Sequence, residues 1–160
     1  MKTIIICLFS SFIIFLFTYV SFSQSVLSYQ KISDTQGNFT GVLDNYDYFS
    51  RCEAIGDLNG DGITDIAVGA FMDDDGGTNR GAVWILFLNS NGTVSSHQKI
   101  SSTQGGFTGQ LDNDDSFGTS VGNIGDINND GINDLAVGAR QDDDDGLDKG
   151  AVWILFMNTN

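Results

Sequence analysis

Asp57-Leu58-Asn59-Gly60-Asp61-Gly62-Ile63-Thr64-Asp65 returns 69 residues later as Asp126-Ile127-Asn128-Asn129-Asp130-Gly131-Ile132-Asn133-Asp134. Each nine-residue loop carries oxygen donors at positions 1, 3, 5 and 9 and a glycine at position 6, and each runs straight into an apolar stretch. Carboxylates and an amide at this spacing make a hard, flexible oxygen cage, the chemistry of Ca²⁺. The glycine permits the sharp turn that wraps chain around an ion. Because the loop recurs with its flanking sequence, it predicts a repeat architecture as well as a cofactor.

The repetition extends far beyond the loops. Residues 30–49 match residues 98–117 at 15 of 20 positions, and residues 57–89 match residues 126–158 at 22 of 33. The offset grows from 68 to 69 between the two stretches. A period this long, filled with β-branched and aromatic residues and lacking any helical stripe, predicts an all-β array such as propeller blades. Each period reads as four short strands. The first covers residues 51–55 and 119–124, the second 65–70 and 134–139, the third 82–88 and 151–157. The fourth covers 94–101, with an earlier copy at 26–33. The third-strand runs AVWILFL and AVWILFM have no period-two alternation, so both faces of that strand are expected to be covered.

The N-terminus is set apart. Met1-Lys2 gives a positive start, residues 4–20 are almost wholly apolar, and Ser21-Phe22-Ser23 places small residues at a cleavage boundary before Gln24. Residues 1–23 therefore read as a secretory signal peptide, with an uncleaved anchor as the alternative. After cleavage near Ser23/Gln24 the protein is expected to be secreted or at the cell surface, without stable membrane insertion. What remains holds 21 acidic and six basic residues, and only Glu53 among the acids is not Asp. Such a surface is a poor partner for nucleic acid or anionic membrane. The Asp bias points instead to carboxylates held in turns and ion loops. Cys52 stands alone once Cys7 leaves, so no disulfide framework forms, and it is expected to be buried in a strand.

These residues resemble the FG-GAP repeat of integrin α-chain β-propellers and their microbial relatives. The matching pieces are Phe117-Gly118, the loop from Gly125 to Gly131, Ala136-Val137-Gly138-Ala139, and Gly150-Ala151-Val152-Trp153-Ile154-Leu155-Phe156. The first copy has the same set except that Phe49 is followed by Ser50. The resemblance implies β-propeller blades of four antiparallel strands, with about one Ca²⁺ per repeat in the hairpin between the first two strands. Carried over by position, the ligands are the side chains of Asp57, Asn59, Asp61 and Asp65 with the carbonyl of Ile63. In the second copy they are Asp126, Asn128, Asp130 and Asp134 with the carbonyl of Ile132. On this reading residues 26–33 are the outer strand of a preceding or closing blade, 34–101 are repeat 1, and 102–160 are repeat 2, cut before its last strand. Fewer than two blades cannot close a ring of four to eight. The expectation is thus an incomplete ring, a piece of a longer array, with assembly of several copies as the alternative.

An EF-hand is a poor match, since position 12 is Val68 or Val137 inside a strand and flanking helices are absent. The clusters Asp73-Asp74-Asp75 and Asp142-Asp143-Asp144-Asp145 read as solvated loops, and Asp44/Asp47 and Asp112/Asp115 as turn chemistry. Trp84 and Trp153 read as core, and His97 as a surface strand position. No nucleophile–base pair or phosphate-cradling loop can be assembled. The expected function is a non-enzymatic adhesion or ligand-binding module for an extracellular protein or glycan. The alternatives are an accessory propeller of an extracellular hydrolase or lyase, and a non-functional gene fragment.

Overall fold

The computed structural model describes residues 24–144 and 146–158; the segment read as a signal peptide lies outside them. Seven strands form: β1 (Arg51–Gly56), β2 (Asp65–Ala70), β3 (Ala82–Leu88), β4 (Val94–Ile100), β5 (Phe117–Gly125), β6 (Asp134–Ala139) and β7 (Ala151–Leu155). They build two antiparallel sheets, one of four strands in the order β1-β2-β3-β4 and one of three in the order β5-β6-β7. The sheets close no ring among the described residues. Val, Ile, Trp and Phe fill the strands, while Asn, Asp and Gly interrupt them at every turn, which is why the chain folds as short meandering strands.

The growth in offset between the two copies has a structural cause. Arg51 lies opposite Gly69, and its counterpart Ser120 lies opposite Gly138. One residue, Ser50, separates Phe49 from Arg51, whereas Gly118 and Thr119 separate Phe117 from Ser120. The added residue is absorbed where the register of β5 shifts between Phe117 and Ser120, as a bulge does.

The sheets pack face to face. Ala67, Val83, Ile85 and Ile100 from the first meet Phe117, Leu135, Val137, Ala139 and Trp153 from the second, with Phe107 and Leu111 of the connecting chain in the same cluster. The opposite face of the first sheet is covered by its own N-terminal segment, which lays Ile32, Phe39, Leu43 and Phe49 over Val68, Trp84 and Leu86. Ala82 to Leu86 of β3 are accordingly buried on both faces. At the corner the backbones themselves touch. Gly81 bridges Phe117, and a Cβ on Gly69 would overlap the carbonyl oxygen of Gly118.

Three expectations are corrected. Residues 26–32 form no strand, and Ser33 makes only an isolated bridge to Gln36, because no third strand precedes them among the described residues to supply a ladder. Cys52 is exposed, since β1 is the edge of its sheet and its first four residues face solvent. β7 is covered on one face only: Val152 and Ile154 remain 69% and 44% exposed. Among the described residues no helix is long and apolar enough to cross a membrane.

Candidate metal centre

Both loops connect the first two strands of their sheets and close by closely similar hydrogen bonds, the Gly60 amide bond alone having no counterpart at Asn129. Asp57 Oδ1 accepts from the amides of Gly60 and Asp61 at 2.8 and 3.0 Å, and its Oδ2 from Gly62 at 2.7 Å. Asn59 Oδ1 also accepts from the Asp61 amide at 3.0 Å, while its Nδ2 donates to Asp61 Oδ2 at 3.0 Å. Asp61 Oδ1 accepts from the Ile63 amide at 2.8 Å. In the second loop Asp126, Asn128 and Asp130 repeat this pattern onto Asp130, Gly131 and Ile132 with distances of 2.8–3.1 Å. The glycine at position 6 has φ of +85° or +91°, and position 4 is Gly60 at +77° or Asn129 at +62°. Asn is among the few side-chain-bearing residues that accept this region, which is why the two copies can differ there.

Position 9 does something else. Asp65 and Asp134 are fully buried. Asp65 accepts the Leu58 amide at 2.9 Å and, from the far end of β3, the Leu88 amide at 3.0 Å. Asp134 does the same with Ile127 at 3.1 Å and Met157 at 3.0 Å. Each is a brace between the loop and the third strand. Sequence reasoning missed this second role, although the interval of 23 residues between each Asp and its strand-end amide was present in both copies.

The donor types fit a hard cation: carboxylates, one amide oxygen and a main-chain carbonyl within nine residues. Asp57, Asn59 and Asp61 lie together in one hydrogen-bonded loop, while Asp65 sits beneath it. Among the described residues, however, no three His, Cys, Asp or Glu side chains converge as a cage. The carboxylates are turned onto loop amides. Ca²⁺ held here would draw on Asp57, Asn59, Asp61 and the Ile63 carbonyl, with Asp65 below, and on their counterparts in the second loop. Its contribution would be to neutralise the clustered carboxylates and tie the hairpin.

The FG-GAP repeat family model matches residues 53–86 and 117–155, which hold most of β1 to β3 and all of β5 to β7 with the loops between them. The chain carries FG-GAP repeats. It is similar to integrin alpha-PS5 of Drosophila melanogaster, 39% identical over 94 residues, which is 58% of this chain and 9% of that protein. It is also similar to integrin alpha-6 of Homo sapiens, 42% identical over 92 residues, 56% of this chain and 7% of that protein. The chain thus spans less than a tenth of the length of these relatives.

Outside the ion loops, the first sheet holds a buried charge network where a solvated loop was expected. Lys99 Nζ lies 2.7 Å from Asp73 Oδ2 and 2.9 Å from Asp75 Oδ2, with Lys99 and Asp73 both buried. Burial pushes the Asp73 carboxyl above its ordinary value despite the bond from Lys99. Burial acts on Asp75 too, but bonds from Lys99, Ser101 and Gln104 outweigh it and hold that carboxyl low. Lys99 is raised, its desolvation overcome by the two carboxylates. No spacing rule ties a strand lysine to an acidic loop, so this pairing is not legible in the residues alone.

The paired acids behave as turn chemistry. Asp47 accepts the Asp44 amide and Asp115 the Asp112 amide, both at 2.7 Å. Burial raises both carboxyls. Trp84 is core, whereas Trp153 is half-buried. His97 is more than a surface residue: its ring packs against Phe39 and Trp84, and Nε2 lies 3.2 Å from Thr40 Oγ1.

Proposed function

We propose that the chain is a secreted or cell-surface module built of FG-GAP blades, stiffened by about one Ca²⁺ per loop, that acts in adhesion or ligand binding. The observation that carries the proposal is the paired loop itself: two copies of the same oxygen-donor spacing, closed by the same side-chain-to-backbone bonds at the same place in each sheet. The similarity to integrin α-chains supports the adhesion reading, and the acidic surface supports an extracellular protein or glycan over nucleic acid as its partner. On this reading residues 1–23 are the signal peptide, and residues 34–101 and 102–160 are the two repeats. Ca²⁺ acts structurally, stabilising the folded state by mass action.

Thermal melts of the purified chain with Ca²⁺ and with EDTA test the proposal. Chelation should lower the Tm by about 5 °C or more, the shift that roughly 1–2 kcal/mol of linked binding produces in a domain of this size. Replacing Asp57 and Asp126 together by Asn should remove the difference. Identical melts with Ca²⁺ and EDTA would refute the structural role.

A further inference from the structure

Two stretches around the first sheet share a pattern found nowhere else in the sequence: Asn38-Phe39-Thr40 and Asn91-Gly92-Thr93. Asn followed two residues on by Thr, with no Pro between, is the acceptor pattern for N-linked oligosaccharide. Asn91 sits at the tip of the β3–β4 hairpin. The turn closes by the Gly92 amide onto the Asn89 carbonyl and by the Asn89 amide onto the Thr93 carbonyl, both at 2.8 Å. Gly92 has φ of +79°, which suits a residue without a Cβ. The Asn91 side chain is exposed, and its Oδ1 accepts from the Thr93 amide at 3.0 Å and from Thr93 Oγ1 at 2.8 Å. Its Nδ2 donates to no group among the described residues. Every bond that this side chain gives the turn therefore runs through its oxygen, and the nitrogen that would carry a sugar is open to solvent.

Asn38 lies in a bend whose Gly37 carbonyl accepts the Val94 amide at 2.8 Å, so the bend sits beside the same hairpin, where β4 begins. The Asn38 side chain is exposed and makes no hydrogen bond among the described residues. Phe39 next to it is packed into the core, which fixes the bend, while Thr40 stays exposed. Asn38 has φ of +57°, a region Asn accepts. The second copy makes the same bend at Gly106-Phe107-Thr108, where Gly106 has φ of +68° and no acceptor is present. A Cβ on Gly106 would meet nothing within 4 Å.

We infer that Asn38 and Asn91 are acceptor sites for N-linked oligosaccharide. Modification there rests on the proposed entry of the chain into a secretory pathway through residues 1–23. The new bond joins Asn Nδ2 to the anomeric carbon of an oligosaccharide carried on a lipid pyrophosphate. The bond from that carbon to the pyrophosphate oxygen breaks, the pyrophosphate leaves with the electron pair, and one amide proton passes to a base of the transferase. Neither attachment breaks a hydrogen bond of the folded chain, because neither Nδ2 makes one. Both sites lie at the end of the first sheet that holds its ion loop, since the Leu88 amide at the foot of the hairpin bonds Asp65. The oligosaccharides coat that end and leave the 71–81 loop at the other end uncovered.

The test is cell-free synthesis of the full chain with microsomes from a eukaryotic secretory cell, with protection from added protease reporting translocation. The protected chain should run two mobility steps slower, and endoglycosidase H should remove both. Asn38→Gln and Asn91→Gln should each remove one step. Thr93→Ala, which keeps Asn91, should remove the same step as Asn91→Gln. Gly106→Asn should add a third step at the equivalent bend of the second copy. From the folded glycoprotein, a peptide-N-glycosidase should release both oligosaccharides without denaturant, as exposed sites require. A protected chain that runs unshifted, or steps that survive Asn38→Gln with Asn91→Gln, would overturn the inference. An unprotected chain would instead contradict residues 1–23 as a signal. The same chain with those residues replaced by a signal peptide of proven function then decides the sites: two steps uphold them, and none overturns them.

Discussion

The two sheets are written in nearly the same residues and live in different surroundings. Ile85 and Ile154 occupy equivalent places in AVWIL, yet Ile85 is buried and Ile154 is 44% exposed. Ser116 is buried between the sheets, while its counterpart Tyr48 is 54% exposed. The loops, by contrast, are built nearly alike, five of the six bonds of the first recurring in the second. Local sequence thus determines the hairpin and its oxygen donors, whereas burial depends on what packs alongside.

The largest test of that contrast falls on the buried charges. Lys99→Met strands Asp73 without its cation and should cost about 3–5 kcal/mol in urea unfolding, whereas Lys31→Met in dilute protein should change stability by under about 0.5 kcal/mol. Ile85→Ala should cost about 2–5 kcal/mol and Ile154→Ala under about 1 kcal/mol. Equal costs for the two isoleucines would mean that the second sheet is covered as the first is.

The braces should show the opposite, a match between copies. Asp65→Ala and Asp134→Ala each leave two buried or partly buried amides without their acceptor, and each should cost roughly 2–4 kcal/mol. A large difference between them would show that the loops are not equivalent.

The smallest effect lies in pH. Asp47, Asp73 and Asp115 have carboxyls raised by burial, so their ionisation weakens folding, and stability should increase as pH falls through their raised values toward 3.8. Asp75, held low by Lys99 and its neighbours although burial opposes this, contributes stability above 3.8 that is lost as pH falls below it. Urea midpoints from neutral pH to pH 3 should therefore pass through a shallow maximum, and Asp115→Asn should flatten its rise.

Much of this was legible in the residues. The β2 and β3 bounds followed from apolar runs closed by Asp, Gly and Asn, and the loop donors from their repeated spacing. The missing strand at 26–33 was not, because a strand exists through its partner, and the same eight-residue pattern is paired in one place and bare in the other. Asp73 was misread for a similar reason. A run of acids looks solvated until a lysine from a distant strand reaches it.

The most direct test of the calcium assignment is the Ca²⁺ content of the purified chain after dialysis against low-micromolar Ca²⁺. The loops predict about two ions per chain, falling to about one when either Asp57 or Asp126 becomes Asn. No bound Ca²⁺, or a content unchanged by both substitutions, would contradict it.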